Sequence, residues 1–137
     1  MGERSFGYLH AQRLVRRRCH GEQDRGDPQL RDGLLQLPGV RLNGHLHQRV
    51  PHTLNICVDK AGFSATSLSS ELAVSSTSAC NSASSGASHV LLAMGLTPAL
   101  AGSSLRLSLG RYTQAADIEK AIAVIAVRLD SPATTFW

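Results

Sequence analysis

Cysteine is scarce in this chain of 137 residues. Cys19, Cys57 and Cys80 are odd in number and widely spaced, with no C-x-x-C pair, a pattern that argues against a disulfide framework and against an intrinsic metal site. Aromatic residues make up only 4%, so the core must be built from the small aliphatics that dominate the 42% hydrophobic content. Long apolar runs are missing too. The longest, Ala121 to Val127, is far too short to cross a bilayer. The first ten residues hold no apolar signal region, and Phe6 stands where N-myristoylation needs Ser or Thr. The expectation is a cytoplasmic chain without a membrane partner, one domain or part of a larger one, with a modest core.

The formal net charge is +4. Its location matters more than its size. Residues 1–49 hold nine Arg against five acids, whereas residues 50–137 hold five basic and five acidic groups. The excess centres on Arg13, Arg16, Arg17 and Arg18, with no aromatics interleaved, which is the pattern of a solvated arm rather than a specific nucleic-acid surface. Residues 1–26 show no sustained period and are expected to form a basic, poorly ordered arm.

The globular part is expected over 27–130, followed by a loose tail at 131–137. Asp27-Pro28 reads as a helix start, with Leu30, Leu34, Leu35 and Leu37 at helical spacing and Pro38-Gly39 as the stop. Val40 to Leu42 reads as a short strand, and Asn43-Gly44 opens a loop. Thr53 to Val58 alternates, which sets Leu54, Ile56 and Val58 on one face and Cys57 on the other. Ser64 to Glu71 is a helix candidate and Leu72 to Ser75 a short strand. Ser88 can cap a helix through Met94 that Gly95 stops, and Pro98 to Ala101 suits a helical turn. Ser104 to Leu109 alternates most clearly, with Leu105, Leu107 and Leu109 opposed to Arg106 and Ser108. After Gly110, Thr113 is the expected cap of an amphipathic helix over Gln114 to Leu129. The fold class that follows is α/β in the two-layer α+β sense: helices packed on a short, mostly antiparallel sheet.

Cys80 lies in a run of small, mostly polar residues from Ser75 to Ser84, within a loop expected over 75–88. With nothing large to anchor in a core, its thiol should be reachable. Reactivity would further require a nearby cation or helix N-terminus to stabilise the thiolate. His89, the helix after Ser88, Arg106 and Arg111 are the candidates. The composition leaves two readings open, an exposed inert thiol and a reactive one. His45, His47 and His52 sit in a turn-rich stretch without partners at ligand spacing, and read as loop residues rather than a metal site.

Three ordered blocks carry a family resemblance. Asn43-Gly44 followed by Pro51-His52-Thr53-Leu54-Asn55 is the first. Leu72 to Ser84, continuing into Ser88-His89-Val90-Leu91 and Ala93-Met94-Gly95-Leu96, is the second. Ser103-Ser104-Leu105-Arg106-Leu107-Ser108-Leu109-Gly110-Arg111-Tyr112-Thr113 is the third. Together they resemble the C-terminal small domain of the NifS-type cysteine desulfurases, class-V aminotransferase-fold enzymes that use pyridoxal phosphate. Within the second block, Thr77 replaces the family's usual glycine and Asn81 its usual threonine.

The resemblance implies that Cys80 is the nucleophile that receives sulfur from L-cysteine as a persulfide, with L-alanine released. It implies Arg106 as the clamp on the substrate carboxylate, and Ser76, Thr77, Ser78, Ala79, Asn81 and Ser82 as the supple loop around the nucleophile. The implied partners are a sulfur acceptor or iron-sulfur scaffold, on which Cys80 could serve as a transient cluster ligand, together with a large domain or homodimer partner. Neither Lys60 nor Lys120 resembles the family's serine-x-histidine-lysine site for pyridoxal phosphate, so the cofactor belongs to the full-length family and the isolated chain is expected to be inactive. A non-enzymatic persulfide relay or scaffold-docking module, and a truncated product without its own activity, are the alternatives.

Overall fold

A computed structural model describes residues 23–76 and 87–130. Three strands, β1 (Val40–Leu42), β2 (Thr53–Val58) and β3 (Ser104–Ser108), form an antiparallel sheet in the order β1-β2-β3. The helices are α1 (Gln23–Leu35), α2 (His89–Ala93), α3 (Pro98–Gly102) and α4 (Ala115–Asp130), with a 3-10 turn at Ala65–Leu68.

Alternation along the strands decides which face is buried. Leu54 lies opposite Leu107, Ile56 opposite Leu105 and Val40 opposite Val58, so the apolar side chains of all three strands share one face. Against that face pack Leu30 and Leu34 of α1, Ile118 and Ile125 of α4, and Phe63, Ala65 and Leu68 of the intervening segment. Nearly every member of this cluster is a Leu, Ile or Val. At about 25 cal/mol per Å² of apolar surface, each fully buried one contributes roughly 2 kcal/mol.

The element ends are held by identifiable groups. Gly39 takes a positive φ of 76° between α1 and β1, and its carbonyl accepts from the Asp59 amide at 2.8 Å, which fixes the turn against the end of β2. Thr97 accepts the Leu100 amide at its hydroxyl and caps α3, with Pro98 at the first helical position. Gly95, at φ 94°, closes α2 as the Leu96 amide reaches back to Leu91 O at 3.1 Å.

Four expectations are corrected. Helix α1 begins at Gln23, ahead of Asp27, and carries Pro28 inside it, so residues 23–26 belong to the helix rather than to an arm. The segment Ser64 to Glu71 makes only a four-residue 3-10 turn. Leu72 to Ser75 is not a strand: Ser75 alone pairs, as an isolated bridge to Arg106. Thr113 does not cap α4. Its hydroxyl accepts from Gly110 N at 2.9 Å, while Asp117 Oδ2 accepts from Gln114 N at 2.9 Å and satisfies the amide ahead of the first turn. Most of the expected arm, residues 1–22, and the expected tail at 131–137 lie outside the described residues. Among the described residues no helix is long and apolar enough to cross a membrane.

Candidate functional site

The face of the sheet opposite the core carries polar residues in register. Thr53 lies across from Ser108, Asn55 from Arg106 and Cys57 from Ser104. At one end of this face Ala101, Ser103, Ser104 and Cys57 are buried, with α3 against β2. At the other end the face opens into a cleft of about 370 Å³, lined by Leu42, Asn43, His45, Arg49, Asn55 and Arg106 among others.

The loop from Asn43 to Val50 forms one wall of this cleft and is held by side chains of its own. His45 Nδ1 accepts the amides of His47 at 3.1 Å and Gln48 at 2.9 Å, which turns the loop back on itself. Arg49 Nη1 donates to Thr53 O at 2.6 Å, tying the far end of the loop to the start of β2. His45 and His47 meet edge to face with centroids 6.3 Å apart, and with Nδ1 of His45 committed to the backbone the pair acts as a loop fastener. Among the described residues no group of three His, Cys, Asp or Glu side chains could hold a metal ion.

Arg106 is half-buried on the polar face of β3, where the alternation of the sequence placed it. Its backbone pairs with Asn55 on one side and with Ser75 on the other: Arg106 N donates to Ser75 O at 2.7 Å and Ser75 N to Arg106 O at 3.2 Å. Among the described residues its guanidinium has no hydrogen-bond or ion-pair partner. A partly buried guanidinium that lines an open cleft, with no anionic partner among the described residues, can take an external carboxylate, for which its planar fork is suited.

Behind Arg106 a polar chain crosses the sheet. Asn43 Nδ2 donates to Asn55 Oδ1 at 2.7 Å and to Ser104 Oγ at 3.1 Å, and Ser104 Oγ donates to Leu100 O at 2.8 Å. The sequence did not single these residues out for a site. Asn55 appeared only in a family block, and pairing it with Arg106 required the strand register.

Of the expected site residues, Arg106 is in the cleft and Ser76 follows directly on the bridge made by Ser75. Cys80, Thr77, Ser78, Ala79, Asn81 and Ser82 lie outside the described residues. The thiol that is described, Cys57, is 3% exposed. Burial pushes it above the ordinary thiol range, against the opposing pull of Arg41. That is the setting of an inert structural cysteine.

The described residues do not fit a pyridoxal phosphate site. Lys60 spends its ammonium on the last turn of α4, donating to Arg128 O at 2.8 Å and Leu129 O at 2.6 Å. Lys120 is exposed on α4. Neither lines the cleft, which therefore offers no amine for a Schiff base.

No family model matches the chain. It does resemble part of several curated proteins. The chain is 48% identical over 102 residues to cysteine desulfurase IscS of Vibrio cholerae, across 74% of this chain and 25% of that protein. It is 45% identical over 124 residues to cysteine desulfurase IscS of Methylococcus capsulatus, across 87% of this chain and 30% of that protein. Among solved structures, a NifS-like protein from Rickettsia africae superposes with a TM-score of 0.63 at 24% identity, across 80% of this chain and 28% of that one. A second NifS-like protein gives 0.57 at 21% identity. The chain thus spans between a quarter and a third of the length of the proteins it matches, and the fold is that of one portion of the NifS-like proteins.

Proposed function

We propose, with kinship to the cysteine desulfurases along most of the chain as premise, that this is the C-terminal small domain of such an enzyme. In that role Cys80 takes the sulfur of L-cysteine and L-alanine is released. The substrate's carbon–sulfur bond breaks, a sulfur–sulfur bond forms on Cys80, and a proton ends on the carbon that lost sulfur. The persulfide then supplies iron-sulfur cluster assembly or another sulfur-transfer route in the cytoplasm, through an acceptor or scaffold protein.

The observation that carries this reading is the pairing of Ser75 with Arg106. It anchors one end of the Cys80 segment at the backbone of the residue matched to the family's carboxylate clamp. Cys80 is five steps along the chain from Ser75, and an extended chain covers about 3.4 Å per residue, so Cys80 cannot stray more than about 17 Å from that anchor. A thiol tethered at this radius can serve both a substrate held at Arg106 and an acceptor outside.

The cofactor and its lysine must then come from another domain or polypeptide, and the isolated chain is inactive. Incubated with pyridoxal phosphate and L-cysteine, it is expected to develop no protein-bound cofactor absorbance and release no alanine. Incubated with a complete cysteine desulfurase and sulfur-labelled L-cysteine, it is expected to gain one sulfur on Cys80 by mass spectrometry. Turnover by the chain alone would refute the first expectation, and an unlabelled Cys80 the second. Because the cleft holds no lysine among its described residues, a non-enzymatic persulfide relay is the second reading; it shares the labelling of Cys80 but expects no alanine production by the chain even when a pyridoxal-phosphate-binding large domain is supplied.

A further inference from the structure

We infer that Asn55 is a second carboxylate donor beside Arg106, held in its donating orientation by the chain Leu100, Ser104, Asn43. The inference rests on the reading of Arg106 as a carboxylate site and adds a specificity-determining residue to it.

Proton counting along the chain leads to it. The Leu100 carbonyl can only accept, so Ser104 must spend its single hydroxyl proton there, at 2.8 Å. Ser104 Oγ is then an acceptor toward Asn43, which must present its amide nitrogen, at 3.1 Å. That same nitrogen lies 2.7 Å from the Asn55 side chain, so Asn55 must present its oxygen. Every step is forced in one direction. The Asn55 amide nitrogen is therefore turned away from the chain, and it has no partner among the described residues.

The register supplies the rest. Asn55 and Arg106 are direct cross-strand partners on the cleft-facing side of the sheet, which sets their Cβ atoms about 5 Å apart. Both line the cleft, and among the described residues neither the amide nitrogen nor the guanidinium has a partner. Two neighbouring donors, one of them cationic, with no acid among the residues lining the cleft, suit a carboxylate that takes a forked bond from Arg106 and one further bond from Asn55.

The test is a titration of the full chain with L-alanine and with acetate, followed by the side-chain NMR signals of Arg106 and Asn55. Saturable shifts at both are expected. Asn55→Asp keeps the oxygen that Asn43 needs but turns a second oxygen toward Arg106, and should weaken L-alanine binding at least tenfold. Ser104→Ala releases the orientation without touching the cleft, should weaken binding severalfold, and serves as the second variant if Asn55→Asp fails to fold. Arg41→Ala, on the same face but outside the cleft, should bind as the wild type does. Loss of binding in Arg106→Ala with undiminished binding in Asn55→Asp and Ser104→Ala would overturn the role of Asn55 and leave Arg106 as clamp. Wild-type behaviour of Arg106→Ala, or no saturable shift in the unaltered chain, would overturn both.

Discussion

Lys60 closes the C-terminal end of α4, with its ammonium 2.6 Å from the carbonyl oxygen of Leu129 and 2.8 Å from that of Arg128. The last carbonyls of a helix have no partner within it and carry the negative end of its dipole, so a lysine reaching them from another segment satisfies both needs. Sixty-nine residues separate Lys60 from Leu129, so the contact also clamps α4 to the end of the sheet. Lys60→Met retains the apolar stem and removes the donor. It should cost about 1–2 kcal/mol, seen as a lower urea midpoint with an unchanged slope.

Gly39 is the second position where one group decides the local fold. Its φ of 76° disfavours any side chain, and a Cβ there would sit 3.3 Å from Asp59 O. Gly39→Ala should destabilise the chain by about 1–2 kcal/mol in thermal or urea unfolding, because the left-handed penalty exceeds the gain from a stiffer unfolded chain.

The buried thiol of Cys57 gives a prediction in pH. Burial raises its folded pKa above the unfolded value, so the two states bind protons alike below the ordinary thiol range of about 8.5. Above that pH the unfolded chain releases the proton more readily, and stability falls as pH climbs toward the folded value. Stability measured from pH 7 to 10 should therefore decline on the alkaline side, and Cys57→Ala should remove its share of the slope. At pH 7 iodoacetamide should spare Cys57 until the chain is unfolded.

Ser104 is fully buried and joins two hydrogen bonds. Ser104→Ala deprives Asn43 of one acceptor and Leu100 of one donor, at a cost of about 1–2 kcal/mol in chemical denaturation. Wild-type stability in this variant would mean that the polar chain contributes orientation alone.

What the sequence revealed follows from how local each signal is. The alternation in β2 and β3 and the helical stripe of α4, with Ile118 and Ile125 buried, were legible because burial on one face writes itself into every second or every third to fourth residue. Arg106 was legible for the same reason, as the polar member of an apolar alternation. Ser75 was misread as part of a strand because its pairing depends on a partner 31 residues away, and only one residue of the segment finds one. The cap of α4 was misplaced because Thr113 has the side chain of a cap, whereas its hydroxyl is taken by the Gly110 amide and the Gln114 amide is met from inside the first turn by Asp117. The chain through Asn43, Asn55 and Ser104 left no local trace, since polar residues on an outer sheet face read as solvated until the register is known.

Among the described residues, one rung occupies the fourth position beside β3. Ser75 docks there through two hydrogen bonds while β1, β2 and β3 keep their own ladders without it. The ladders of the sheet therefore do not depend on Ser75, and breaking that rung leaves the pairing of β1, β2 and β3 whole.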